Sequence, residues 1–489
     1  MIAATVLGSG IAFLDSTVVN VALPHIGEEF DTDVGGLQWV LSGYLLAVSS
    51  LILLGGSLGD RFGRKRIFQL GVVIFAVASL LCAVAPNAPL LVVARVVQGI
   101  GGALLTPGSL AILEASFRPS DRGRAIGAWS GLSGVAGAIG PFVGGWLVDA
   151  ASWRWIFLIN LPISAAVVAI AARHVPETAD PEASHSIDYA GAALMGVGLG
   201  GVTWALIAAG DKGWGDPVVW GPLLVGGAAL ALFVPVERRK RAPMVPPEIF
   251  ASAQFRAANL VTAAMYAALG GIFFLLVVQL QNVLGYSAIE AGAASLPITL
   301  MMLGLSARSG ALAARIGPRL QMTVGPLLVA LGALLMTRIE PGVSYVSGVL
   351  PAVLVTGLGL ATVVAPLTAT ALSAVEDRHA GVASGVNTTV ARVAQLVAVA
   401  GLPLLAGITG RSYLDPSEFS SGFRTAMVIT AALSTLGGVL GFLTVRNPEP
   451  VPGEAAAPAP TGWFCGTEGP PLDTCPRLAA GSAEEGRAA

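Results

Sequence analysis

Asp15, Arg95 and Gln98 are polar residues set inside long apolar stretches, and such positions are costly unless the group is paired or hydrated. Withdrawal from water disfavours the charged form of a carboxyl, which would let Asp15 take up and release a proton. A guanidinium stays charged, so Arg95 can act only electrostatically, holding the charge of a carboxylate when near and releasing it when far. Gln98 lies one helical turn beyond Arg95, shares its face, and can relay a hydrogen bond. The plainer alternatives are that Asp15 bonds Thr17 or a neighbouring helix, and that Arg95 pairs with backbone carbonyls.

Three other groups of residues carry chemistry. In Gly56–Arg66, glycines allow two helix ends to approach closely, while Asp60, Arg61 and Arg64, around Gly63, can form a charge-assisted cluster. A run of small residues, Gly131, Gly134, Gly137, Gly140, Pro141, Gly144 and Gly145, has the spacing that packs helices tightly, with Pro141 as a bend; close packing alone is the alternative. Trp39, Tyr44, Gln279, Gln281 and Asn387 could line a cavity of aromatic surface with sparse polar groups, or serve as interfacial anchors and packing residues. Arg392 is a second buried cation. Apart from Asp15 no acid sits deep in an apolar run, since Glu114 and Glu290 lie near run ends, and this favours neutral or varied ligands over dications.

The elements that must position these residues are legible from composition. With 54% apolar and 11% charged residues the chain lacks the polar surface to fold in water as soluble domains. A hydrocarbon core of roughly 30 Å needs about 20 apolar residues per helix, and the continuous Ala/Val/Leu/Gly runs lack the alternation of barrel strands. Spans are expected near 3–24, 37–58, 67–86, 90–113, 125–148, 155–172, 189–209, 217–236, 257–283, 290–311, 320–337, 345–372, 383–409 and 424–445. These group as a six-helix bundle over 1–175, two inserted helices with linkers over 176–241, a second bundle over 242–446, and a Pro/Ala/Gly/Glu-rich tail over 447–489 that reads as disordered. With the N-terminus inside, 18 basic residues fall on the cytoplasmic side against five outside, namely Arg154, Lys212, Arg338, Arg411 and Arg424. Both termini are then cytoplasmic, although the connection 173–188 holds more acids than bases. Met1 runs straight into Ile2–Val6 with no basic leader, so no cleavable signal peptide is expected. Cys82 lies in a span, and Cys465 and Cys475 lie in the tail with no metal spacing or redox pair.

An internal repeat is visible as well. Arg61-Phe62-Gly63-Arg64 recurs as Arg315-Ile316-Gly317-Pro318-Arg319, and Asp121-Arg122 as Asp377-Arg378, both about 255 residues on, as expected of two related bundles with substrate between them.

The Gly56–Arg66 loop resembles the signature of the major facilitator superfamily. Arg95–Gly102, the glycine run ending in Gly140-Pro141 and Gly144-Gly145, Trp153–Pro162 and Leu280–Ser287 extend the resemblance. Leu14–Pro24 is similar to the hallmark of the fourteen-helix drug:proton antiporters of the EmrB/QacA type, whereas Arg392-Val393-Ala394-Gln395 departs from the adjacent Arg-Gln pair common there. The resemblance implies an all-α polytopic membrane protein with the major facilitator fold, two six-helix bundles plus two inserted helices. It implies that the small-residue run is an antiporter motif and that a proton gradient drives export of hydrophobic or amphiphilic compounds by alternating access, with no cofactor. Expected partners are the bilayer, protons and a small-molecule substrate, with no nucleic acid, and the chain is expected to act as a monomer. A metabolite exporter or proton symporter of the same fold is the alternative. A membrane enzyme or sensor is disfavoured, because the sequence shows no nucleotide loop, metal-ligand cluster or nucleophile–base pair, and its four histidines lie in or near loops.

Overall fold

The computed structural model describes residues 1–117, 119–179, 187–240, 243–376 and 380–447. Arg118, Arg241, Asp377, Arg378 and residues 448–489 of the tail, Cys465 and Cys475 among them, lie outside the described residues, as do the side chains of Arg122 and Arg124. Fourteen helices among the described residues are long and apolar enough to cross a bilayer. They are α1 (Ile2–Phe30), α2 (Val34–Phe62), α3 (Arg64–Ala83), α4 (Ala88–Ser116), α5 (Pro119–Ala150), α6 (Trp155–His174), α7 (Tyr189–Lys212), α8 (Pro217–Arg239), α9 (Ala253–Val283), α10 (Ala288–Ile316), α11 (Arg319–Met336), α12 (Tyr345–Ser373), α13 (Gly381–Leu405) and α14 (Pro416–Thr444).

The helices outrun their apolar cores where polar turns continue them. The largest departure is α14, which begins at Pro416, eight residues before its apolar run, because the Asp415 side chain accepts from Ser417 N and Glu418 N. In the other direction α13 stops at Leu405, and the chain turns through Gly407 at φ 75°. Two spans are interrupted in ways hydropathy does not register. One is α6, which breaks at Ile159 and restarts at Asn160; the other is α10, which breaks at Ser295.

Helix neighbours repeat between the first six helices and the last six. The pairings α1/α5, α2/α4, α3/α4, α1/α6 and α3/α6 reappear as α9/α13, α10/α12, α11/α12, α9/α14 and α11/α14. The two sets meet along α2/α13 and α5/α10, which are equivalent seams under the same repeat.

The turns after α2 and α10 match in detail. Gly63 (φ 108°) and Gly317 (φ 84°) adopt backbone that disfavours side chains, and a Cβ on them would run into Glu177 and Asn447 respectively. Glu177 accepts from Lys65 N at 3.1 Å, and Asn447 accepts from Arg319 N at 3.0 Å. Each following helix is thus capped from the segment after the sixth helix of its own set. Glu177 also pairs with Arg66 at 3.6 Å, so an acid of the 173–188 connection offsets the basic loop.

The inserted helices α7 and α8 pack through Gly198, Gly201 and Gly226. At the end that also carries Met1, Lys240 bonds Asp188 and Glu237 and ties the two together. Along its length α7 contacts both α2 and α13, and Trp204 packs on Trp39 with ring centroids 5.6 Å apart. The pair therefore flanks one seam and leaves the other uncovered. Outward faces carry uncovered Leu and Val, as on α3 (Leu70, Val73, Val77, Leu80, Leu81) and α8 (Leu224, Val225, Leu232, Val234).

Candidate functional site

Within the first six helices, side chains from four helices converge on one carboxylate. Arg95 Nη1 donates to Asp15 Oδ2 at 2.5 Å, and Gln98 Nε2 and Asn160 Nδ2 donate to Asp15 Oδ1 at 2.8 and 3.1 Å. Arg95 Nη1 also donates to Gln98 Oε1 at 2.6 Å, and Arg95 Nε to Val40 O at 3.1 Å. Ser79 Oγ, on α3, accepts from Gln98 and Asn160 at 2.9 and 3.3 Å and donates to Phe75 O. The rings of Tyr44 and Phe157 lie 4.6 and 5.8 Å from the guanidinium carbon. Asp15 is 0% and Arg95 1% exposed, so the pair is dry and its net charge is zero. Buried charges persist only when paired and hydrogen-bonded, and here both Asp15 oxygens and the Nε and Nη1 of Arg95 have partners.

The three residues that sequence reasoning put forward for proton handling are thus brought together, Asp15 across 80 residues from Arg95. Thr17 does not bond Asp15; its hydroxyl serves Phe13 O, Leu14 O and Gly137 O. Asn160 and Ser79 had gone unnoticed. The signal for Asn160 was present, since it interrupts Trp155–Pro162 as Asp15 interrupts its own run. The break in α6 that starts a new helix at Asn160 was not visible.

The second six helices place their polar groups differently. Asn387 Nδ2 on α13 donates to Asn259 Oδ1 and Thr262 Oγ1 on α9 at 3.2 and 2.9 Å. Arg392 Nη1 reaches Gln395 Oε1 at 3.3 Å and makes no ion pair among the described residues. It lies within electrostatic reach of Tyr44 on α2 and Tyr266 on α9, which puts it on the interface between the sets. Tyr44 touches the buried Arg95 and feels Arg392, which is only half-buried and not the second buried cation expected, because it stands at the seam between the sets.

The other candidates lie elsewhere in the two sets. Gln279 Nε2 donates to Ile339 O at 2.7 Å, inside the second set, and Gln281 Nε2 to Val21 O at 2.8 Å, across the two sets. Trp39 borders a pocket of about 200 Å³ between α2 and α7, apart from the seam centre. The small-residue motif divides: a Cβ on Gly140, Gly144 or Gly145 would collide with Thr17, Val18 or Ala288 O, and one on Gly292 with Pro141 O, whereas at Gly134 it would meet nothing within 4 Å. Gly131 and Gly134 are thus a correction to the expectation of tight packing along the run; their face of α5 is open, so no neighbour among the described residues requires a glycine. In the charged loop Asp60 Oδ1 bonds Arg64 Nη2 and Nε at 2.8 and 2.9 Å, and Arg61 Cζ lies 5.0 Å from the centroid of the Phe62 ring.

At the end opposite Met1 the two sets are stitched together. Gln38 Nε2 donates to Val399 O and Ala400 O at 2.7 and 2.9 Å, and Val34 N donates to Gly410 O at 2.9 Å. Asp149 accepts from Ala288 N and Ile289 N at 3.1 and 2.8 Å, Tyr413 OH donates to Thr32 O at 2.7 Å, and Arg411 pairs with Asp31.

The family model that matches is the Major Facilitator Superfamily, over residues 5–399. The chain belongs to that superfamily. Two similar proteins are the puromycin resistance protein of Streptomyces alboniger, 34% identical over 89% of each chain, and the tetracenomycin C resistance and export protein of Streptomyces glaucescens, 35% identical over 82% of this chain and 74% of that one. Among solved structures, a D-xylose–proton symporter aligns with a TM-score of 0.64 at 14% identity, covering 91% of this chain and 97% of that one. An inward-facing bacterial homolog of the human lysosomal transporter Spinster aligns at 0.61 and 18%, covering 91% and 96%. Fourteen apolar helices and membership of this superfamily make the chain a multi-pass membrane protein, with a bilayer and a small-molecule substrate as its partners.

Proposed function

We propose that this superfamily member exports small hydrophobic or amphiphilic compounds in exchange for protons, by alternating access between its two six-helix sets, without enzymatic chemistry or a cofactor. The observation that carries the reading is the dry Asp15–Arg95 pair, the one deep carboxylate of the described chain, within a protein similar to antibiotic resistance and export proteins. Asp15 takes up the proton, and Arg95 and Gln98 hold the carboxylate when it has left. The chain sits in the cell membrane with the Met1 end in the cytoplasm, and it works as a monomer. The stitched opposite end then faces outward, so the state described is shut on the outside.

Asp60, Arg61, Gly63 and Arg64 act at the cytoplasmic gate, and the Gly140-Pro141 step is where α5 flexes against α1 and α10. The substrate contacts the surface between the sets near Tyr44, Asn387 and Arg392. With Asp15 tied to Arg95 and Arg392 unneutralised among the described residues, this surface supports neutral or varied substrates over dications. Efflux of fluorescent lipophilic dyes, one neutral and one cationic, from energised cells with and without a protonophore tests the proposal against Asp15→Asn. Collapse of efflux under both treatments is expected. Efflux that survives both sinks the proton mechanism, and movement of neither dye favours a dedicated metabolite exporter.

A further inference from the structure

When Asp15 is charged, its oxygens need donors, and Arg95, Gln98 and Asn160 supply three. When it is protonated the demand reverses, because a neutral carboxyl carries one O–H that must find an acceptor in a site closed to water. The acceptors around it are already occupied. Gln98 Oε1 receives Arg95 Nη1 and the Cys82 thiol, Ser79 Oγ receives two amide donors, and Val40 O receives Arg95 Nε. Asn160 Oδ1 is the exception: it is buried and has no partner, on a residue that is 0% exposed.

We infer that Asn160 is a positioning residue that serves both states of Asp15, its carboxamide turning end for end so that Nδ2 donates to the carboxylate and Oδ1 accepts from the protonated acid. The two ends of a carboxamide are nearly equal in size, so the turned amide occupies the same space. Gln98 cannot do the same. Its oxygen is held by Arg95 and its nitrogen by Asp15 and Ser79, and turning it would aim an NH2 at a guanidinium. Asn160 breaks only its bonds to Asp15 and Ser79, and Ser79 keeps Gln98. The proton is given up by a hydronium ion when the site opens to solvent, leaving water, and adds to a carboxylate oxygen; no other covalent bond changes. The titratable groups facing Asp15 are Arg95 on α4, Tyr44 on α2 and Cys82 on α3.

The inference rests on Asp15 being the proton site, and infrared difference spectroscopy separates the two. The full chain reconstituted in phosphatidylcholine vesicles is taken between alkaline and acidic buffer, and the carbonyl stretch of protonated Asp15 is the band that Asp15→Asn removes. In Asn160→Leu, which keeps the branched shape without polar atoms, that band is expected to move to higher frequency because its O–H has lost its acceptor. Asn160→Val reads the same quantity with less bulk should Leu disturb the fold. A band unmoved in both variants overturns the role of Asn160 and leaves Asp15 as the proton site. Absence of any Asp15-dependent band in the parent overturns both.

Discussion

The first six helices and the last six pack by one plan and bury different things at its centre. Carried forward by the 254 residues that separate Arg61 from Arg315, Asp15 falls on Leu269, Arg95 on Val349 and Gln98 on Ala352, all buried and apolar. The second set keeps the helix neighbours and discards the charges. Its own cation, Arg392, stands instead on the interface, bonded to the Gln395 amide and without an ion pair among the described residues. One set thus holds a sealed ion pair, and the other holds a cation with no ion pair among the described residues; in the proposed cycle the first handles the proton and the second faces the substrate. The difference teaches that helix packing in this fold does not depend on the buried charges, so each set can carry a separate task.

That comparison can be broken most forcefully at Arg95. Replacing it with Leu strands Asp15 as a buried unpaired charge and is expected to cost about 3–5 kcal/mol, read as thermal unfolding in detergent. The double variant Asp15→Asn with Arg95→Gln should regain most of that stability and still fail to move protons. A double variant no more stable than Arg95→Leu would mean that the ion pair is not what holds the centre together.

Arg392→Gln leaves no acid unpaired among the described residues, so stability should change by less than about 0.5 kcal/mol. Its effect should fall on KM and on the preference between neutral and charged compounds. A loss of stability comparable to that of Arg95→Leu would erase the contrast between the two arginines.

The two turns offer a finer test. Glu177→Ala and Asn447→Ala each remove a helix cap and should each cost about 1 kcal/mol in detergent unfolding. Only Glu177→Ala also removes the partner of Arg66, and only it should alter transport rate. Equal effects on rate would argue that the caps matter and the charge does not.

The smallest effect concerns the inserted pair. Burial opposes the charge of Asp188, but hydrogen bonds with Glu237, Lys240 and Gly191 N outweigh it and hold its carboxyl below the usual range. Burial likewise opposes Lys240, and its bonds to Asp188 and Glu237 hold it above the usual lysine value. The Asp188 contribution is present above its unfolded value and lost as pH falls through its lowered one. That of Lys240 is present below its unfolded value and lost as pH rises through its raised one. Hydrogen exchange at Gly191, whose N–H bonds Asp188, corrected for intrinsic rates, should therefore stay flat across neutral pH. Protection lost already near neutrality would show that the cluster does not hold α7 to α8.

The number, order and approximate limits of the spans were determined by sequence alone, because bilayer thickness sets a length that a local sum of hydropathy can detect. Asp15, Arg95 and Gln98 were likewise legible, since a polar side chain inside an apolar run has few reasons to be there. Which of them meet was decided only by tertiary structure. Pairing Asp15 with Arg95, recruiting Asn160 from a helix that restarts mid-span, and leaving Gly134 open while Gly145 sits against Ala288 all depend on how helices rotate and approach one another. That rotation is set by contacts between residues far apart in the chain, through small residues and interhelical hydrogen bonds, and no local window contains them.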